Sequence, residues 1–143
     1  MWDKKKYPLK KDVTIDGIIS ASYEVVSGEA GEVRAWERDF QEEIIGRLLQ
    51  VAMPLKDFHK ETDTLVSKTA FYESEINKEV RVFGNIVHVW STYETRLVKN
   101  GPVVRRGINS IQLYYSADRW WIASWTFDKE RSDRKIPQTF DRN

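Results

Sequence analysis

Residues 69–127 decide the fold: TAFYESEINKEVRVFGNIVHVWSTYETRLVKNGPVVRRGINSIQLYYSADRWWIASWTF. β-Branched and aromatic residues dominate this stretch, and each interruption carries turn chemistry. The first break is Phe83-Gly84-Asn85, the second Lys99-Asn100-Gly101-Pro102 and the third Ser116-Ala117-Asp118-Arg119. Asn-Gly is a strong hairpin signal because both residues accept the positive φ of a type I′ turn. The stretch therefore reads as a continuous antiparallel meander of four strands.

Outward from the meander, the preceding chain reads as helices that cover one of its faces. Asp12 or Thr14 caps a helix over Ile15–Val26, with Ile15, Ile18, Ile19, Ser22, Tyr23 and Val26 on one stripe. Gly28 and Gly31 bracket a break, and a second short helix runs from Glu32 to about Phe40, with Trp36 and Phe40 on one face. Residues 41–53 suit either a helix or a short strand. Pro54 opens a third helix, about Leu55–Val66, which carries His59 on a solvated side. Residues 1–11 read as a polar lead-in, 12–128 as a single α+β domain, and 129–143 as a charged, frayed tail.

Composition narrows the function classes. With 143 residues the chain has the length of one domain. Lys+Arg is 23 and Asp+Glu is 22, a balance that gives no basis for nucleic acid or an anionic membrane as partner. There is no cysteine, and the only histidines are His59 and His88, so neither a metal site nor a cofactor is expected. No run approaches the ~20 apolar residues of a membrane span, and the lead-in lacks the apolar centre of a signal peptide, so the reading is cytoplasmic. Aromatics make up 13% of the chain, with six Trp, which points to a large core, a ligand pocket or an interface.

A two-residue Asn100-Gly101 turn sets Val98 against Val103, and hence Val89 against Gln112. On that register one face carries Tyr72, Ile76, Val80, Val82, Val87, Val89, Ser91, Tyr93, Gln112, Tyr114 and Trp125. The other carries Glu75, Arg81, His88, Trp90, Ile111, Leu113, Tyr115, Trp120 and Ile122. Helices cover one face, and the apolar residues left on the other exceed what a monomer normally exposes. A second copy is the economical cover, so the expectation is a two-fold homodimer joined through His88, Trp90, Ile111, Leu113, Tyr115, Trp120 and Ile122. The alternative cover is the tail or residues 1–11. The alternating charges Glu73, Glu75, Lys78, Glu79 and Arg81 read as a solvated edge that resists further strand pairing.

The helix and Gly-rich break in Ile15–Trp36, together with FGNIVHVWSTYETR (83–96) and GINSIQLYYSADRWWIASW (107–125), resemble the NTF2-like, SnoaL-like superfamily, whose cone-shaped fold is shared with ketosteroid isomerase. The resemblance implies a curved sheet wrapped around helices and a deep, mostly apolar pocket, often in a dimer. On the sheet face, Tyr72, Tyr93, Tyr114 and Trp125 read either as ordinary core or, together with Tyr23, Trp36 and Gln112, as the lining of a pocket that binds a small, fairly apolar ligand. In the isomerase branch a tyrosine of the first helix and a late-strand acid form an oxyanion hole, and a carboxylate moves the proton. Tyr23 stands where that tyrosine would, and Gln112 where the acid would. For the base, residues 40–53 offer only Glu42 and Glu43. Three functions stay open: a ligand-binding domain, an isomerase, dehydratase or cyclase acting on a carbonyl compound, and a structural dimerisation module.

Overall fold

The computed structural model describes residues 13–34, 60, 63, 64 and 66–142. The ambiguous stretch 41–53, Trp36, His59 and most of the second and third helices lie outside the described residues. Residues 60, 63, 64 and 66 are helical, as expected for the end of the third helix.

Helix α1 spans Ile15–Val26, the predicted bounds. Thr14 is its N-cap: the side-chain oxygen accepts from the Gly17 amide at 2.9 Å, satisfying one of the donors a helix start leaves open. Ile18, Ile19 and Tyr23 put its buried stripe on the sheet. Burial of each isoleucine is worth about 1.5–3 kcal/mol. Past the helix, Gly28 bridges to Phe71, its amide donating to the Phe71 carbonyl at 2.6 Å and its own carbonyl accepting at 2.8 Å. Arg34, 4% exposed, folds back and donates to the carbonyls of Val26, Gly28, Glu29 and Glu32. A cation at the helix C-terminus satisfies carbonyls there and suits the local dipole.

Four antiparallel strands follow in sequence order: β1 (Tyr72–Phe83), β2 (Ile86–Arg96), β3 (Val103–Ser116) and β4 (Arg119–Lys129). The first and third connections are two-residue turns; Gly84 has φ 54°, and Ala117 and Asp118 have φ 51° and 62°. Three irregularities interrupt the ladders, between Glu75 and Asn77, Thr95 and Arg96, and Gln112 and Leu113. Bulges of this kind bend a sheet, and here the sheet is open and curved.

The second connection departs from the predicted register. Val98 does not pair with Val103; the turn is closed by the Gly101 amide on the Val98 carbonyl, and Arg96 faces Val103 across a longer loop. The irregularity at Thr95 then sets Val89 against Ile111 and His88 against Gln112. A one-residue slip exchanges the faces of a strand. Ile111, Leu113, Tyr115, Trp120 and Ile122 therefore stand on the α1 side, not on an exposed interface, while Gln112 and Tyr114 stand on the outer side. The patch that motivated a dimer expectation is absent in that form. Trp125 is on the α1 side as expected, because the β3–β4 bulge compensates for the slip.

The tail is ordered, not frayed. Thr92 Oγ1 donates to the Phe140 carbonyl at 2.6 Å and Asn77 Nδ2 to the Asp141 carbonyl at 2.7 Å. The Phe140 ring meets Trp90 at 6.0 Å, Arg106 pairs with Asp141, and Arg142 pairs with Glu94 at 2.6 Å. The segment thus covers the outer side of the sheet nearest the β2–β3 connection.

Candidate functional site

The α1 side of the sheet is divided along its strands. Toward the β1–β2 turn it is apolar: Val87, Val89, Ile111, Leu113 and Ile122 close around Ile18, Ile19 and Tyr23. Toward the β2–β3 connection it becomes polar. Every second residue of β2 points there, giving Ser91, Tyr93 and Thr95, all within 2% exposure. β1 adds Glu75 opposite Tyr93 and Glu73 opposite Thr95; β3 adds Asn109, Gly107 and Arg105.

A relay of hydrogen bonds crosses from β4 to β1 through the helix. Trp125 Nε1 donates to Asn109 Oδ1 at 2.9 Å, and Asn109 Nδ2 donates to the Tyr23 hydroxyl at 2.9 Å. Tyr23 and Ser91 share a 2.7 Å bond, and Ser91 donates to the Glu75 carboxylate. A serine hydroxyl has one proton. Since that proton goes to Glu75, Tyr23 is the donor toward Ser91, and every bond in the relay points toward the carboxylate. Burial pushes the Tyr23 phenol well above its ordinary value, outweighing the bonds from Ser91 and Asn109. Its proton is thus firmly held and committed to Ser91.

Beyond the relay lie groups with poorer partners. Burial raises the Glu73 carboxyl to about 7, against the charge of Arg105 and the bond from Thr95. Those two partners are distant for a buried carboxylate, Thr95 Oγ1 at 3.2 Å and Arg105 at 3.9 Å. The Tyr93 hydroxyl is buried without a hydrogen-bond partner among the described residues. Burial, and then the charge of Glu73, push that phenol up to about 12. A Cβ at Gly107 would lie 2.4 Å from the Tyr93 hydroxyl and 2.3 Å from the Asp128 carbonyl, so only glycine fits beneath the ring.

Of the residues anticipated from sequence, Tyr23, Tyr93 and Trp125 meet on the α1 side. Tyr72 lies at the margin, its hydroxyl donating to Glu29. Gln112 and Tyr114 stand on the opposite side, and His88 and Trp90 share that side with them at a ring separation of 5.9 Å. Sequence reasoning missed Glu73, Glu75, Ser91, Thr95, Arg105 and Asn109. The correct β2–β3 register would have placed Asn109 opposite Ser91. The bulge that turns Glu73 and Glu75 inward has no comparable sequence mark.

No protein-family model and no curated protein matches the sequence. Solved structures do. The Kfla4162 protein from Kribbella flavida superposes with a TM-score of 0.57 at 9% identity, covering 90% of this chain and 94% of that one. A "putative ketosteroid isomerase" from Parabacteroides distasonis superposes with a TM-score of 0.53 at 14% identity, covering 85% and 92%. Likeness at such identities speaks to architecture and leaves chemistry to the site. With one described helix laid on a curved four-stranded meander, and with these counterparts spanning most of its length, the chain has the NTF2-like, SnoaL-like cone fold.

Proposed function

We propose that the polar part of the α1 side binds a small, largely apolar molecule through a single hydrogen-bond acceptor such as a carbonyl oxygen. The observation that carries this reading is the buried Tyr93 hydroxyl, unpartnered among the described residues and on the same side of the sheet as Glu73. An unmet buried donor costs about 1–3 kcal/mol, and a ligand acceptor would recover it. Tyr23, in contrast, spends its proton on Ser91 and serves to hold the helix against β2 and β3. The neighbouring apolar residues would receive the body of the ligand.

The test is a thermal-shift screen of steroid-like, polyketide-like and aromatic carbonyl compounds against wild type and Tyr93→Phe. A ligand at ~100 times its dissociation constant adds about 2.7 kcal/mol. The reading requires at least one hit that Tyr93→Phe weakens. Hits unaffected by that change would place binding elsewhere.

A second reading, an enzyme moving a proton beside a carbonyl, draws on Glu73. A carboxyl titrating near 7 has the poise of a general base at neutral pH. It would take a proton from the carbon next to the carbonyl and return it, with Tyr93 polarising the oxygen. This reading demands turnover whose pH–rate profile bends near 7 in wild type and loses that limb in Glu73→Gln. A ligand bound by both proteins with no turnover leaves the binding function standing alone.

A further inference from the structure

The side of the sheet facing away from α1 has its own concavity, beyond the reach of the tail. An open cavity of about 590 Å³ lies there beside the β1–β2 turn, within the ~300–1,000 Å³ common for ligand pockets. Strand register builds it from two rows that cross β1, β2 and β3. One row is Phe83, Ile86 and Tyr114; the next is Arg81, His88 and Gln112. All six line the cavity.

The rows differ in chemistry. The first is apolar and open, with Phe83 83% exposed and Ile86 55%. The second presents donors. The Arg81 side chain is 79% exposed; its Nε and Nη2 donate to the Glu79 carboxylate of the same strand at 3.3 and 3.2 Å, and its remaining N–H groups are left to donate. Ser124 donates to the Gln112 side-chain oxygen at 3.1 Å, which leaves the amide nitrogen to donate. His88 Nε2 is engaged with Ser110 at 2.9 Å, leaving Nδ1. Rows two residues apart along a strand are separated by about 7 Å, so an occupant that reaches both rows needs an extended body, such as two linked or fused rings, between its apolar end and its acidic group.

We infer that this outer cavity is a second small-molecule site, selective for a flat apolar body carrying one anionic group, such as an aryl carboxylate or sulfonate. The body lies over Phe83, Ile86 and Tyr114, and the anion meets Arg81 and Gln112. A small molecule suits the feature better than a second copy of the chain, because it is a cavity of small-molecule volume and its donor row keeps N–H groups of Arg81 and Gln112 that no described partner takes. The site is independent of the interior one, since Glu73 and Tyr93 stand on the other side of the sheet.

The test uses two fluorescent probes, 8-anilinonaphthalene-1-sulfonate and its uncharged counterpart N-phenyl-1-naphthylamine, titrated into folded wild type and variants. Wild type binds the sulfonate saturably at one site per chain. Arg81→Gln and Gln112→Leu each weaken the sulfonate about tenfold while moving the neutral probe less than about twofold. Phe83→Ser weakens both probes, and Tyr93→Phe changes neither, which separates this site from the interior one. Arg81, Phe83 and Gln112 lie at the surface, so those three variants keep the wild-type melting temperature. Absence of saturable binding, equal losses of both probes in Arg81→Gln, or loss in Tyr93→Phe overturns the inference. So does light scattering that finds a dimer which excludes the sulfonate until it dissociates.

Discussion

The two ends of the α1 side are built from the same strands and are buried against the same helix, yet they solve burial differently. Around Ile111 and Val89 every group is apolar, and contact alone stabilises the packing. Around Ser91, Tyr93 and Thr95, exposure is equally low but stability depends on hydrogen bonds being made. The relay to Glu75 makes them, whereas Glu73 and the Tyr93 hydroxyl fall short. A fold under selection for stability alone would fill such positions with apolar side chains. Under the proposed function, the polar groups left incomplete at one end are those that a ligand would complete.

Mutations at the two ends should break or sharpen this contrast. Ile111→Ala opens a cavity in the apolar end and should destabilise the fold by about 2–5 kcal/mol, read by chemical denaturation. A loss under 1 kcal/mol would mean that the apolar end is not the anchor of the domain.

The next largest effect depends on pH. Glu73 rises from its ordinary 4.5 to about 7 on folding, so between those values the folded state holds a proton the unfolded state has released. Its contribution is fully present below 4.5 and lost as pH rises through 7, by roughly 3 kcal/mol as an upper bound. Other carboxylates slope the opposite way, so the difference between wild type and Glu73→Gln is the useful quantity. Glu73→Gln should gain on wild type as pH rises from 4.5 to 7; a constant gap would show that Glu73 is not desolvated.

Asn109→Ala leaves the Trp125 and Tyr23 ends of the relay unmet and should cost about 1–3 kcal/mol. The smallest effect should come from Tyr93→Phe. It removes a hydroxyl with no described partner, so stability should stay within about 1 kcal/mol of wild type or rise. Tyr23→Phe, which strips two bonds, should fall by more than that in the same assay. Equal losses from the two tyrosines would erase the distinction between a spent hydroxyl and an available one.

Much of the fold was legible in the sequence because it is locally encoded. The cap at Thr14, the apolar stripe of α1 and the breaks at Gly84, Asn100 and Asp118 each act within a few residues. The face of each strand was less legible, because it depends on irregularities selected by packing far along the chain. A wider loop and bulge before Val103 moved Gln112 outward and Asn109 inward, and the bulge after Glu75 converted an apparent solvated edge into two inward carboxylates. Tyr23 could be found from its helix; its partners could not. Gly107 carried a faint signal, a glycine within a strand where a ring crosses the backbone.

The ordered tail has a consequence for motion. Residues 140–142 bond to Asn77 of β1, to Thr92 and Glu94 of β2, and to Arg106 of β3. One short segment thus clasps three strands across their direction, and none of the three can slide or separate at that end without releasing it. Strand opening there becomes a concerted event, so amide hydrogens of β1, β2 and β3 beneath the clasp should exchange with solvent at a common slow rate, while those beside the uncovered β1–β2 turn exchange sooner and independently.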